Sequence, residues 1–314
     1  MNWQDFYSVV IAPLTYWEMP EHRIFWVYLI TAWLMALGVY LLVYRPRAEG
    51  VKLNFLAYLF PKNIYFHKSA LTDYRYFLFN RIAFVFVLAP IIVGSYTVAE
   101  LTEYLLLSGF GATEARESTM AVIAVFTFLA FVAYDFAIFF THYIQHRVPF
   151  LWEFHKIHHA AEAMTPMVAY RIHPIDDLIT GSGIGLMMGV VYGVYAYFYG
   201  GMLAPITMLE VNVGIFLFNA VGFNLRHTHI WLAYRGWLGH LFISPAHHQI
   251  HHSVDPEDYD QNFGAMFAVW DWAFGSLRVP EKYEEITFGL GEQSERYHGI
   301  WRIYLMPFVD LAQR

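Results

Sequence analysis

The sequence predicts an all-α fold: a polytopic membrane bundle of four to five helices with a histidine-rich metal site on its cytoplasmic side. Three observations support this prediction. Hydrophobic residues make up 58% of the 314-residue chain and charged residues only 14%, whereas soluble domains contain about 25% charged residues. Several apolar stretches are long enough to cross a bilayer. Thirteen of the sixteen histidines lie between His142 and His252.

Five apolar stretches are candidate membrane spans, since about 20 apolar residues cross a hydrocarbon core of about 30 Å. Pro90 is expected to kink the second of them, because proline lacks an amide proton. The last two form a hairpin that either crosses the bilayer twice or re-enters from one side, so the bundle has four or five spans. The stretches cover residues 24–44, 82–98, 119–140, 178–199 and 203–223.

The distribution of charge assigns the sides of the membrane. Segment 45–81 is basic and segment 99–118 is acidic, and an excess of lysine and arginine marks cytoplasmic loops. The third span then delivers His142 to the cytoplasm, and the hairpin returns the chain there at Arg226. The histidines are therefore expected on the cytoplasmic face of a bacterial inner membrane or of the endoplasmic reticulum.

The chain is interpreted as one integral membrane domain, residues 1–314, because histidines far apart in sequence must converge on a common site. Residues 1–23 are rich in aromatic side chains, which favour the membrane interface. Residues 24–223 contain the spans and, between them, the cytoplasmic histidine loops. Residues 224–314 end in a segment too charged to span and are expected to form a cytoplasmic cap that closes the metal site.

The histidines are grouped with helical spacing. His142 and His146 are four residues apart, and the pattern H-x-x-H-H occurs twice. Residues three and four apart share one face of a helix, with Cβ atoms about 5–6 Å apart, so each cluster can offer several imidazoles to one ion. The clusters are His142 with His146; His155, His158 and His159; His173; His227 with His229; and His247, His248, His251 and His252.

The composition restricts the metal chemistry. The chain has no cysteine, so nitrogen and oxygen must hold any metal, and imidazole suits zinc, copper, iron and nickel. One zinc takes three or four ligands; nine or more histidines on one side therefore indicate two ions. Neither H-x-x-H-H motif has the glutamate of H-E-x-x-H, which argues against a zinc protease. The net charge of −7 argues against nucleic acid as a partner.

These motifs resemble the fatty acid hydroxylase/sterol desaturase superfamily. The resemblance covers roughly residues 130–275, nearly half of the chain. The matching elements are Tyr134-Asp135; His142-x-x-x-His146; Leu151-Trp152-x-Phe154-His155-Lys156-Ile157-His158-His159; Arg171-x-His173-Pro174; His227-Thr228; Ser244-Pro245-x-His247-His248-x-x-His251-His252-Ser253; Asn262-Phe263-Gly264; and Trp270-Asp271-x-x-Phe274-Gly275.

The resemblance implies an O₂-dependent di-iron oxidoreductase that hydroxylates a C–H bond of a membrane lipid with an acyl, alkyl or sterol-like chain. Lipid desaturation on the same site is the alternative. Two iron ions are the implied cofactor, and zinc is expected as a substitute in purified protein. A separate electron donor, ferredoxin-like or cytochrome b5-like with its reductase, is predicted because no flavin, nicotinamide or haem motif is visible. The implied ligands are His142, His146, His155, His158, His159, His173, His227, His248, His251 and His252, with His173 either a direct ligand or a support for one.

Asp135 is interpreted as a residue that orients a metal-binding imidazole. It lies seven residues before His142, so two helical turns place both on one face. A carboxylate that accepts the second ring N–H of a ligand histidine fixes its orientation. A hydrogen bond that packs two helices together is the alternative interpretation, because ionisable residues within spans are usually paired.

Other polar residues near the clusters have two interpretations each. Asp176 and Asp177 either support ligand histidines or begin a helix, where aspartate is favoured. Arg171 is expected to hold a carboxylate or a lipid phosphate. His229 and His247 adjoin implied ligands, and the sequence leaves open whether they bind metal.

Two other classes of protein remain compatible with these features. A histidine-rich metal transporter would also be polytopic, but its ligands should lie within the spans along a path. A structural membrane protein with a zinc staple needs only about four ligands, so most of the histidines would stay unexplained.

Overall fold

The computed structural model describes residues 11–47 and 53–313, and it is mostly helical, as predicted. Residues 1–10 of the expected interfacial segment lie outside the described residues. The helices are α1 (Trp26–Val39), α2 (Phe55–Leu59), α3 (Lys62–Tyr65), α4 (Lys68–Ala83), α5 (Ser95–Phe110), α6 (Met120–Arg147), α7 (Pro149–His159), α8 (Pro174–Tyr199), α9 (Val213–Ala220), α10 (Trp237–Leu241), α11 (Pro245–His251), α12 (Val269–Phe274) and α13 (Ile300–Ala312).

Short elements connect and extend these helices. A π-helical turn, Tyr40–Tyr44, and the short helix Arg45–Arg47 prolong α1, and a second π-helical turn, Phe84–Leu88, prolongs α4. The 3₁₀ turns are Tyr16–Glu18, Pro166–Tyr170, Phe223–Leu225, Pro256–Asp258 and Gln293–Tyr297. Strands β1 (Thr207–Met208) and β2 (Val211–Asn212) pair antiparallel, with Thr207 opposite Asn212 and Met208 opposite Val211.

Three of the described helices are long and apolar enough to cross a bilayer: Trp26–Tyr44, Met120–Arg147 and Pro174–Tyr199. They correspond to the first, third and fourth predicted spans. Helix α6 has 28 residues and is therefore about 42 Å long, which exceeds a hydrocarbon core of about 30 Å. Its last two turns carry His142 and His146 beyond its most apolar part.

The predicted span over residues 82–98 is wrong as a continuous helix. Helix α4 and its π-helical extension end at Leu88, and the chain then turns. Pro90 lies in this turn, because proline has no amide proton and disfavours a helical residue before it. Gly94 is the N-cap of α5, which begins at Ser95. The second apolar stretch is therefore divided between two helices.

The predicted span over residues 203–223 is also wrong as a continuous helix. The chain forms the β1–β2 hairpin and then α9, whose eight residues extend only about 12 Å. Thr127 of α6 holds this hairpin: its Oγ1 accepts from the amide of Ile206 at 2.8 Å, and its carbonyl accepts from Asn212 Nδ2 at 3.1 Å. The described residues thus contain three candidate spans, where four or five were expected.

A row of glycines lets α5 lie close against α8. Gly185, Gly189 and Gly193 are buried and four residues apart. A Cβ atom at Gly193 would lie 2.5 Å from the carbonyl oxygen of Ala99 on α5. Small residues at this spacing allow close backbone approach between membrane helices, where packing rather than water exclusion drives association. The row was present in the sequence but did not enter the predicted arrangement of spans.

The C-terminal helix α13 fixes α7 through a buried ionic network. Asp310 accepts hydrogen bonds from Lys156 Nζ at 2.9 Å, from the Tyr297 hydroxyl at 2.7 Å and from Arg296 Nη2 at 2.5 Å. Lys156 follows His155 directly in α7. The position of the first H-x-x-H-H motif therefore depends on a helix about 150 residues further along the chain.

Arg171 is fully buried and joins three segments. Its Nη1 donates to Asp73 Oδ1 of α4 at 2.7 Å, its Nε to the carbonyl of Ile157 in α7 at 2.9 Å, and its Nη2 to the carbonyl of Tyr297 at 3.1 Å. Of the two predicted partners, the structure therefore shows the carboxylate. Together with Asp310, this arginine holds α7 in place from two sides.

We expect Gly189→Leu to push α5 away from α8. A Cβ atom at Gly189 would lie 2.5 Å from Val98 Cβ and 2.7 Å from the Ser95 carbonyl oxygen, and overpacking of this kind costs about 1–3 kcal/mol. A lower melting temperature of the purified protein in detergent checks this prediction. Gly109→Leu is the matched control, because no atom lies within 4 Å of a Cβ at Gly109. Equal melting temperatures for the two variants would contradict the proposed packing.

Asp310→Asn should lower the free energy of unfolding by about 1–3 kcal/mol, because it weakens the charge-assisted hydrogen bonds to Lys156 and Arg296. Chemical denaturation followed by tryptophan fluorescence measures this loss. Glu292→Gln serves as the control, since Glu292 is exposed and also lies in the cap. A variant as stable as the wild type would show that Asp310 does not anchor α7.

Candidate metal centre

Nine histidines converge into two adjacent groups. In each group, one nitrogen per ring lies within 4.8 Å of every other such nitrogen. Group one consists of His142, His146, His155, His159 and His251, and group two consists of His158, His227, His248 and His252. The structure thus brings together nine of the ten histidines that the sequence suggested as ligands.

Each H-x-x-H-H motif contributes to both groups. In α7, the first and last histidines of the motif belong to group one and the middle one to group two. In the motif that begins in α11, the first and last belong to group two and the middle one to group one. Residues four apart point nearly the same way along a helix, whereas the residue between them diverges. The spacing of the motif therefore builds two sites from one helical turn.

The ring nitrogens of group two are close enough to surround one ion. His227 Nε2 lies 3.3 Å from His158 Nε2 and 2.9 Å from His248 Nε2, and His252 Nε2 lies 3.2 Å from His248 Nε2. Nitrogens bound to a common ion at about 2.1 Å lie about 3.0–3.4 Å apart in octahedral or tetrahedral arrangements. The four rings therefore fit a metal ion.

Group one fits a metal for a different reason. All five of its Nε2 atoms are buried without a hydrogen-bond partner. In three of the rings Nδ1 donates elsewhere: from His142 to the Phe263 carbonyl at 2.8 Å, from His155 to Asp176 at 2.7 Å, and from His251 to the Gln261 carbonyl at 2.8 Å. A neutral ring that donates through Nδ1 has its lone pair on Nε2. Such lone pairs directed at one space suit a metal ion.

Asp176 combines the two roles that the sequence left open. It lies in the first turn of α8, and its carboxylate accepts from His155 Nδ1 and from Gln145 Nε2, both at 2.7 Å. Asp177 instead forms an ion pair with Arg81 at 2.8 Å. Gln145 was not singled out from the sequence, although it lies three residues after His142 and so on the same helical face.

Group two has no comparable support from a carboxylate among the described residues. The Nδ1 atoms of His158, His248 and His252 are buried without a hydrogen-bond partner. Since an acceptor for the second ring nitrogen raises the basicity of a ligand imidazole and fixes its orientation, the two groups differ in how firmly their rings are held.

Four of the rings outside the candidate spans, His158, His159, His227 and His248, are neutral at pH 7. Burial, and then the neighbouring imidazoles, hold the pKa of His158, His159 and His248 well below the ordinary value of 6.5. For His227, burial and then the charges of Arg23 and Arg226 lower the pKa in the same way. Neutral imidazole is the form that binds metal, so these rings are ready to act as ligands.

Asp135 does not contact an imidazole, which corrects its predicted role. Its carboxylate accepts from the amides of Met266 at 2.7 Å and Phe267 at 3.1 Å, and from the indole of Trp270 at 2.8 Å. It therefore attaches the segment that leads into α12 to the middle of α6. The alternative interpretation, a packing hydrogen bond, describes this residue correctly.

His173 lies outside both groups, which corrects its prediction as a tenth ligand. Its Nδ1 accepts from the amide of Ile175 at 3.1 Å and so caps α8, and its Nε2 donates to the Tyr304 carbonyl at 3.3 Å. Both ring nitrogens are therefore engaged. Because Pro174 begins the helix without an amide proton, the histidine before it is in the N-cap position.

His229 and His247 also lie outside the two groups. His229 Nε2 donates to the Tyr58 carbonyl at 2.7 Å. His247 forms a capping box with Ser244 at the start of α11, in which each residue's side chain binds the other's backbone amide. Capping of this kind satisfies amides that have no partner within the helix. The structure therefore gives both rings local structural contacts.

Two cavities reach the histidine groups. The span-side cavity has a volume of about 110 Å³ and is lined by histidines of both groups and by residues of α6 and α8 such as Ile138 and Thr180. The cap-side cavity has a volume of about 330 Å³ and is lined by His146 and other group-one histidines, together with Trp152 and Asp260. Residues of the candidate spans therefore line one cavity at the centre, and residues of the cap line the other.

The family model described as Fatty acid hydroxylase matches residues 127–276 of this chain. This range includes all nine histidines of the two groups and the segment bound by Asp135. Residues 127–276 are thus similar to the fatty acid hydroxylase family. The resemblance predicted from the histidine motifs is confirmed.

The relatives that this chain matches are named as a monooxygenase, a desaturase and a hydroxylase. The chain is 25% identical over 178 residues to the alkylglycerol monooxygenase of Caenorhabditis elegans, covering 54% of this chain and 32% of that protein. It is 30% identical over 169 residues to a Delta(7)-sterol 5(6)-desaturase of Gibberella zeae, covering 54% of this chain and 46% of that protein. It is 27% identical over 147 residues to human cholesterol 25-hydroxylase, covering 46% of this chain and 48% of that protein. The matches thus cover about a third to a half of each relative's length. No solved structure matches this chain.

Asp176→Asn should weaken metal binding at group one by about 10–100-fold, the usual effect of losing a carboxylate that supports a ligand histidine. Metal analysis of the purified protein after dialysis against a chelator measures this change: we expect two ions per chain in the wild type and one in the variant. Asp177→Asn is the matched control, since its carboxylate binds Arg81 and not a histidine. Loss of both ions, or of neither, would contradict separate sites.

Proposed function

We propose that this protein is an integral membrane di-iron oxygenase that hydroxylates a C–H bond of a membrane lipid. The observation that carries the proposal is the pair of histidine groups at the end of the apolar helix α6. The fatty acid hydroxylase domain and relatives named as a monooxygenase, a hydroxylase and a desaturase support it.

Two iron ions, held by groups one and two, would supply the activation of O₂ that oxidation of an unactivated carbon requires. The protein's residues would hold the ions by neutral nitrogen ligands, five in one group and four in the other. Asp176 would keep His155 oriented, and α7 and α11 would fix the distance between the two groups. A polyhistidine site of this kind also binds zinc well, so zinc is the expected contaminant in purified protein.

The substrate would reach the histidines through the span-side cavity. Ile138 and Thr180 belong to the two helices with the clearest spanning length, and Phe223 closes the cavity beside them. A lipid chain in the bilayer could therefore enter without crossing water. A volume of about 110 Å³ holds only a few atoms, as a water molecule occupies about 30 Å³. Most of the lipid would stay in the membrane.

Electrons would arrive from a separate protein at the cap-side cavity, which contacts group one away from Ile138 and Thr180. The Trp152 ring centroid lies 4.9 Å from that of His146 and 5.3 Å from that of His159, and Trp152 lines this cavity. A ferredoxin-like or cytochrome b5-like donor would dock here. The distribution of basic and acidic loops supports a cytoplasmic position for this side.

Desaturation is the second candidate reaction, favoured by the sterol desaturase among the relatives. Both reactions begin by removal of one hydrogen, and they differ in whether oxygen or a second removal follows. A metal transporter agrees less well with the structure. Its ligands would be distributed along the spans, whereas the nine histidines lie together at the end of α6 and in the segments after it.

His158→Ala should abolish oxidation of the lipid, because it removes a quarter of the group-two ligands. Mass spectrometry of lipids from cells that also contain iron and an electron donor measures this: a lipid heavier by one oxygen atom, present only with the wild type, indicates hydroxylation. A lipid lighter by two hydrogen atoms would indicate desaturation instead. His240→Ala is the control, since His240 is exposed and outside both groups. Identical lipid profiles for wild type and His158→Ala would contradict the proposal, and metal uptake would be tested next.

A further inference from the structure

Arg226 is a buried arginine that has no carboxylate partner among the residues that the structure describes. Its side chain lines the span-side cavity next to group two, and the residue is only 3% exposed. Its Nη2 donates to the carbonyls of Ile243, at 3.2 Å, and Ala265, while its Nε is buried without a hydrogen-bond partner. A buried charge is costly unless it is paired. This guanidinium therefore has one buried N–H donor without a partner.

A second arginine lies beside it. The guanidinium carbon of Arg23 is 4.6 Å from the centroid of the Phe223 ring, and that of Arg226 is 4.4 Å from the same centroid. All three side chains line the span-side cavity. In the part of the chain that the structure describes, Arg23 forms no ion pair with a carboxylate. Two positive charges are thus held on one aromatic ring by cation–π contacts.

The carboxylates in this region are engaged by other donors. Asp176, which lines the cavity, accepts from His155 and Gln145. Asp135 is near enough to influence Arg226 electrostatically but accepts three N–H groups from the cap. Neither neutralises the arginines through a direct contact. Among the described residues, the two arginines at this cavity therefore have no carboxylate in direct contact.

We infer that Arg23 and Arg226 bind an anionic oxygen group, a carboxylate or a phosphate, at one end of the lipid substrate. Guanidinium groups match the geometry of both anions and bind them by charge-assisted hydrogen bonds, which are strong where water is excluded. This assignment rests on the proposed function and specifies its substrate class as an anionic lipid, rather than a neutral sterol or alkyl ether.

The position of the arginines also bears on which carbon reacts. The same cavity of about 110 Å³ is lined by both arginines and by His142, His158 and His227. Only a few atoms fit between them, so a lipid held by its anionic group would present a carbon close to that group. Oxidation is therefore expected near the anionic end of the chain and not at its middle.

A binding experiment tests the inference without turnover. Dodecanoate, dodecyl phosphate and uncharged dodecanol are titrated into the full-length purified protein in phosphatidylcholine nanodiscs, and tryptophan fluorescence reports binding. We expect both anions to bind at least about tenfold more tightly than dodecanol, as charge-assisted hydrogen bonds provide. Arg23→Gln and Arg226→Gln should each reduce this preference at least about fivefold and leave dodecanol binding unchanged. Equal binding of the three probes, or equal weakening of all three by the variants, would overturn the inference.

Matched controls make the result specific. Arg116 also lies over a phenylalanine ring, 4.8 Å from the centroid of Phe198, but outside the cavity; Arg116→Gln should keep the anion preference. If Arg226→Gln does not fold, the anion preference of Arg23→Gln tests the inference. Arg23 is only half-buried, so its replacement should disturb folding less. Inorganic phosphate is added as a competitor: displacement of dodecyl phosphate at equal concentration would show a site for free anions and overturn the assignment to a lipid.

The same experiment separates this inference from the proposed function. Anion binding needs neither iron nor an electron donor, so loss of the preference overturns the role of the arginines and leaves the di-iron proposal standing. If the preference for anions is retained but lipid mass spectrometry finds no oxidised product, the di-iron proposal is overturned and the role of the arginines stands.

Discussion

The structure depends on holding nine histidine rings close together, with a ring nitrogen of each directed into one of two small spaces. Because each H-x-x-H-H motif supplies ligands to both groups, α7 and α11 each contribute to both sites. His159 and His252, from different groups, stack with ring centroids 4.5 Å apart. A shift of either helix would disturb both sites at once. The remaining structure can be understood as the means of preventing such a shift.

The anchors that prevent it are mostly polar. Arg171 with Asp73, and Asp310 with Lys156, place α7, and Asp135 places the segment before α12. Hydrogen bonds to charged groups are directional, and leaving one partner of a buried charged pair unpaired is expensive. Apolar contacts alone would allow a helix to slide by a fraction of a turn. The buried charges fix the position along each helix axis that the ligand geometry needs.

The sequence was sufficient where the deciding information is local. Spacings of three and four identified eight of the nine converging histidines, and the family resemblance added His227. Length with hydropathy identified three helices of spanning length. Prediction from the sequence failed where contacts with residues far along the chain determine what a side chain does. His173 resembles a ligand in the sequence, but the packing of Tyr304 engages its second nitrogen. Asp135 occupies the predicted face of α6, yet a segment 131 residues later occupies its carboxylate. The significance of Arg226 required the cavity, which no sequence pattern shows.

The order of these contacts along the chain has a consequence for biosynthesis. Group one needs His142 from α6 and His251 from α11, and α7 is fixed only when Asp310 reaches Lys156. Asp135, in the apolar part of α6, receives amides from a segment synthesised much later. Domains generally fold as they emerge during synthesis, but here no early segment can complete either group alone. Helix α6 therefore leaves the ribosome well before His251 and Asp310, and its histidines stay without their final partners until those residues follow.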